Sequence, residues 1–201
     1  MRDDRTRASA STSSSSSSVR DSDEPIRQLL ESARQWGPLG FLAPESEQKR
    51  LLQLSRAMVS FSEPHPANVS LAGKTFDLIY SDHPGRPSGR LFGRVHGKVT
   101  QSFLTNGDYV NSVTLGPLTT TITAHKTTLD DDSWTNEVTF YQAAVKLFGK
   151  TLVTKKIDLG KSGTWKYLCL CRIQDQDGDG RRSKIIRIME TPRLFILEER
   201  V

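Results

Sequence analysis

Cysteine is almost missing from this chain: 201 residues contain two, Cys169 and Cys171. Two apart on a strand, their side chains point the same way, and a bridge between them would be strained. Both therefore read as free thiols, which favours a reducing compartment. Two sulfurs cannot make a four-ligand zinc site, and His65, His83, His96 and His125 include no i, i+4 pair. No metal site is expected. Also missing is any run of the roughly 20 apolar residues that a membrane-crossing helix needs. There is no Gly-x-Ser-x-Gly elbow for a serine nucleophile. No glycine-rich loop opens a helix to cradle phosphate, because the glycines stand between strand-like runs. The expectation is a protein with no catalytic residues and no cofactor.

Aromatic residues are also few, at 7%, while 25% of residues are charged and the net charge is +5. The positive excess lies beyond Glu24, since the residues up to that point carry four basic and five acidic groups. Basic residues gather at Arg86, Arg90, Arg94 and Lys98, and again at Lys146, Lys150, Lys155, Lys156 and Lys161 around Phe148-Gly149. Nucleic-acid binding wants aromatics stacked among such charges, and only Phe92 and Phe148 lie near, so no nucleic-acid partner is expected. The clusters read either as a solvated rim or as a dock for anionic lipid, at about 1 kcal/mol per well-placed charge.

What is present falls into three stretches. Residues 1–22 are a Ser-rich tail with Arg2, Arg5, Arg7 and Arg20. It has no apolar surface to bury, so it is expected to be disordered. It resembles an organelle transit segment, although Asp3 and Asp4 break the acid-poor pattern. Two helices follow, predicted over 24–36 and 45–61. The first has Pro25 in its opening turn, an Ile26, Leu29, Leu30, Ala33 stripe, and Gly37-Pro38 as its stop. The second carries Glu45 and Glu47 at its start and the apolar stripe Leu51, Leu54, Met58 and Phe61, widened by Leu52 and Val59. From residue 74 to 198 the period becomes two. About nine short strands, separated by turn signals and by no helices, predict an antiparallel sheet that closes or folds over to remove its edges. The two helices could then cover one mouth. Asp175, Asp177, Asp179 and Gly180 copy half of a calcium loop, but Ile186 stands where a bidentate Glu is needed, so the segment reads as an acidic turn.

Four pieces of this strand region carry a resemblance. They are Leu71-Ala72-Gly73-Lys74-Thr75-Phe76-Asp77-Leu78-Ile79-Tyr80-Ser81; Gly97-Lys98-Val99-Thr100-Gln101; Asn111-Ser112-Val113 with Leu115-Gly116-Pro117-Leu118; and Arg187-Ile188-Met189-Glu190-Thr191-Pro192 leading to Leu194-Phe195-Ile196-Leu197. In this order they resemble the plastid-lipid-associated proteins, or plastid fibrillins, over about three quarters of the chain. Phe76 stands where that family usually has Trp. The resemblance implies a mostly β, lipocalin-like antiparallel barrel in a plastid, at thylakoid membranes or lipid globules (plastoglobules). It also implies binding of carotenoids, quinones or related lipids. Without a transit segment the protein would be cytoplasmic. No catalytic set is carried over; the alternative is an isomerase- or cyclase-type enzyme on the same barrel.

If one face of each strand points inward, Phe76, Tyr80, Tyr109, Trp165 and Tyr167 share an interior with Gln101, Asn111 and Arg187. A mostly apolar cavity with sparse polar anchors suits a lipophilic small molecule. A filled interior with a buried hydrogen-bond network suits the same residues. Alternation alone leaves both open.

Overall fold

A computed structural model describes residues 23–92, 95–129, 133–157, 162–174 and 182–201. The Ser-rich tail, the Asp130-Asp131-Asp132 turn, Lys161 and the Asp175–Gly180 turn lie outside the described residues. Helix α1 (Glu24–Trp36) buries Ile26, Leu29, Leu30 and Ala33, and Gly37 at φ 60° ends it. Asp23 makes no side-chain cap; its carboxylate instead accepts the Gln174 backbone N–H at 3.1 Å, which ties the helix start to a strand. Helix α2 (Glu45–Ala57) stops before the expected residue 61, and Met58–Phe61 tightens into a 3₁₀ turn. Its buried stripe is correspondingly narrow: Leu51 and Met58 are covered, whereas Val59 and Phe61 are exposed.

Among the described residues eleven strands follow: β1 (Thr75–Ser81), β2 (Arg90–Phe92), β3 (Val95–His96), β4 (Lys98–Phe103), β5 (Asp108–Leu115), β6 (Leu118–Thr128), β7 (Thr135–Leu147), β8 (Lys150–Lys156), β9 (Ser162–Gln174), β10 (Ser183–Thr191) and β11 (Arg193–Glu199). Nine of them form one antiparallel sheet in the order β6-β5-β4-β1-β11-β10-β9-β7-β8, and β6 also pairs with β7. The short β2 and β3 pair only with each other. Strand β7 is long enough to hold two partners along one edge, β9 beside Thr135–Thr139 and β8 beside Gln142–Leu147.

The sheet has two buried faces. One carries Phe76, Leu78, Val99, Phe103, Tyr109, Ala124, Val138, Trp165, Tyr167, Leu170, Ile185, Met189 and Leu197. The other carries Cys169, Cys171, Ile173, Ile186, Ile188, Leu194 and Ile196, and these pack under α1 and α2. The helices therefore lie against a sheet face and do not cover a mouth, because their apolar stripes match the outward residues of β9, β10 and β11. At one end of the aromatic face the chain around Ala67, Val69 and Leu71 closes over it. The Ala67 carbonyl accepts Lys126 Nζ and Thr128 Oγ1, each at 3.0 Å.

Of four bulges in the nine-stranded sheet, one adds Leu152 to β8 opposite Val145 and Lys146, and three reset the side-chain phase around the interior. Ile79 is extra between Leu78 and Tyr80 against β11, Leu168 is extra between Tyr167 and Cys169 against β10, and Tyr141 is extra in β7 opposite Thr123 and Ala124. One added residue turns every later side chain to the opposite face. Tyr80, expected inside with Phe76, is thus beneath the helices, where Gly40 approaches its ring so closely that a Cβ would collide with it. For the same reason Trp165, Tyr167, Cys169, Cys171 and Ile173 do not form one series. The first two face the aromatic interior and the last three face the helices. Both cysteines are free and buried, and the Cys169 sulfur together with burial pushes the Cys171 thiol far above its ordinary pKa.

Candidate functional site

Inward positions of β1, β4, β5, β9 and β10 bring Phe76, Gln101, Tyr109, Asn111, Trp165, Tyr167 and Arg187 to one face. Of the eight residues singled out from the sequence, Tyr80 alone is elsewhere. At the centre is Arg187, with no solvent exposure. Its guanidinium carbon lies 4.6 Å from the Phe103 ring centre, 4.8 Å from Phe76, 5.5 Å from Trp165 and 5.7 Å from Tyr167. Nη1 donates to Gln101 Oε1 at 2.9 Å, and Nη2 donates to Tyr167 Oη at 3.3 Å and to Met189 Sδ at 3.1 Å. Nε has no partner among the described residues. Among the described residues no carboxylate joins this group. Cation–π contacts of about 0.5–2 kcal/mol each are of the same order, summed over four rings, as the several kcal/mol that burying one ion costs. The rings also hold one another: Tyr109 and Trp165 meet edge to face at 4.9 Å, and Phe76 and Phe103 do so at 5.9 Å. Among the described residues, this half of the interior is occupied by Arg187 and the rings around it.

In the other half, toward the β7–β8 end, lies a cavity of about 400 Å³, lined among others by Asn111, Val113, Thr120, Thr121, Ile122, Phe140, Ala143 and Val145, with Pro87 also in its wall. Its size falls inside the usual range for small-molecule sites, which are mostly apolar with a few polar groups. Asn111 is the polar side chain that links the two halves. It pairs across β4–β5 with Gln101, the residue that holds Arg187, and its own Oδ1 is buried without a partner. An amide so placed can accept from a hydroxyl or amine at one end of an otherwise apolar molecule. Of the residues singled out from the sequence, Asn111 lines this cavity; Val113, Ile122, Phe140, Ala143 and Val145, which also line it, went unrecognised. Consecutive Ala143-Ala144 within a long strand was the available signal, because small side chains on an inward face leave space.

A separate polar group lies on the opposite face of β5, β6 and β7. Asp108 Oδ1 meets His125 Nδ1 at 2.7 Å, Asp108 Oδ2 accepts the Tyr141 hydroxyl at 2.7 Å, and the His125 and Tyr141 rings stack at 4.5 Å. Burial raises the Asp108 pKa, but hydrogen bonds from Tyr141, Asn106 and His125 outweigh it and leave the carboxyl below its ordinary value. The group ties three strands together away from the cavity. Among the described residues no three His, Cys, Asp or Glu side chains gather as metal ligands, and no helix is long and apolar enough to cross a membrane. Comparison of the chain with family models, with curated proteins and with solved structures finds no match.

Proposed function

We propose that this protein is a non-catalytic carrier of a lipophilic small molecule, held in one half of a lipocalin-like barrel. The observation that carries the reading is the cavity of about 400 Å³, apolar except for Asn111, Thr120 and Thr121 and joined to the Arg187 group by the Asn111–Gln101 pairing. The barrel is supported by the pairing circuit: β6, β5, β4, β1, β11, β10, β9 and β7 are neighbours in that order, and β7 pairs again with β6. Strand β8 extends the wall along the upper part of β7. The short sequence pieces that resemble plastid-lipid-associated proteins agree with such a barrel. They point to a plastid lipid of the carotenoid or quinone kind, encountered at a thylakoid or lipid-globule surface.

Titration of the full chain with a fluorescent polyene fatty acid tests the reading. The wild type should enhance the probe's emission saturably. Ala143→Phe, which fills the space between Ile122 and Val145, should abolish the enhancement while the far-ultraviolet dichroism of the sheet stays intact. Asn111→Leu should weaken binding by about threefold to tenfold, the net value of one hydrogen bond. Undiminished binding by a folded Ala143→Phe protein would sink the cavity reading.

A further inference from the structure

The hairpin that joins β7 to β8 is built against ordinary turn chemistry. Its two central residues, Phe148 and Gly149, have φ of 48° and 78°. A tight turn with both angles positive favours Asn-Gly, because a bulky side chain is strained at the first position. Here that position holds a phenylalanine that is 78% exposed. The adjoining strand β8 is exposed along its whole length and adds Leu152 at 59% and Val153 at 58%. Beside it lies the β5–β6 turn, whose Pro117 carbonyl accepts the Phe148 N–H at 2.8 Å and whose Leu118 pairs with Leu147. Leu115, Leu147 and Phe148 are all exposed on these two tips.

The charge around this apolar lobe has one sign. Lys146, Lys150, Lys155 and Lys156 occupy β7 and β8, and no Asp or Glu occurs from Tyr109 to Leu129 or from Val138 to Ile157. The lobe also borders the cavity, since Val145 lines it three residues before Phe148. Apolar side chains at a tip with lysines behind them are complementary to a bilayer interface with anionic headgroups, where the ring enters the acyl boundary and the ammonium groups meet phosphate. A protein partner would find an edge strand to pair with, but four lysines on the two strands oppose edge-to-edge addition.

We infer that the paired β5–β6 and β7–β8 tips form a docking element for an anionic lipid surface, with Phe148 as the inserted residue. Docked in this way, the cavity opens beside the lipid. The element does not depend on what occupies the cavity, so the two readings can fail separately.

Co-sedimentation of the full chain with phosphatidylcholine vesicles, with and without phosphatidylglycerol, tests it. Binding should require phosphatidylglycerol and fall as salt rises. Phe148→Asn should weaken it by about tenfold, as expected for losing most of one buried aromatic side chain. Lys146→Ala and Lys150→Ala should each weaken it by about fivefold. Phe148→Asn should also melt no lower than the wild type, because Asn suits the turn, and should still bind the polyene probe in the absence of vesicles. Ala143→Phe should sediment like the wild type. Equal binding to neutral vesicles, unchanged sedimentation of Phe148→Asn, or a dimer in solution that Phe148→Asn dissolves would each overturn the assignment.

Discussion

Arg187 shows how a single buried cation can organise an interior without an acid to balance it. Its charge is spread over ring faces and one amide oxygen, so the amide matters more than its neutral character suggests. Replacing Gln101 by leucine would leave Nη1 buried and unpaired, at a cost of about 1–3 kcal/mol. Replacing Arg187 by methionine in the same chain removes the charge together with the amide that served it, and exchanging both partners for apolar groups is often close to neutral. Urea denaturation should therefore find Gln101→Leu clearly less stable than the wild type and the double variant Gln101→Leu/Arg187→Met less affected. The reverse order would mean that the cation–π contacts, rather than the Gln101 bond, hold the centre.

At the scale of elements, bulges decide what faces what. Two-residue alternation was enough to gather Phe76, Gln101, Tyr109, Asn111, Trp165, Tyr167 and Arg187, because each strand keeps its phase over those stretches. It failed at Tyr80, since an extra residue such as Ile79 becomes visible only against the register of a partner strand. The cavity was illegible for a related reason: Ile122, Phe140 and Ala143 look like ordinary strand residues until β6 and β7 are aligned. Helix placement was misjudged because amphipathic stripes say that a face is buried but not against what. The Tyr80 switch leaves a mark in the connection between α1 and α2, where Gly40 lies on the Tyr80 ring and a Cβ would also come within 2.8 Å of the Ser81 carbonyl. Gly40→Ala should destabilise the protein by about 1–3 kcal/mol through overpacking. Adding Tyr80→Leu should recover part of that loss, a coupling that a double-mutant cycle by thermal melting would measure.

Across the whole molecule, Asp77 and Asp108 are among the groups that shape the response to acid. Burial raises the Asp77 pKa, but Arg200 and Lys98 more than reverse it, and Asp108 is lowered in the same net sense by its hydrogen bonds. Groups with depressed folded-state values contribute stability above the unfolded value of about 4, and that contribution is lost as pH falls through the lower folded values. Asp82 runs the other way: burial holds its carboxyl above the ordinary range, so ionising it subtracts stability as pH rises. Asp77→Asn should lower the melting temperature at neutral pH and make the acid limb of the melting curve shallower. An unchanged acid limb would show that Asp77 is not one of the responsible groups. The sheet also joins distant parts of the chain, because β1 lies between β4 and β11 and Phe76 is opposite Glu199. Hairpins can zip locally as the polypeptide emerges from a ribosome, yet the seam at β1 waits until Arg193–Glu199 is free. Until then the nascent protein presents unpaired backbone on both β1 and β10, a template for aggregation that invites chaperone cover during synthesis.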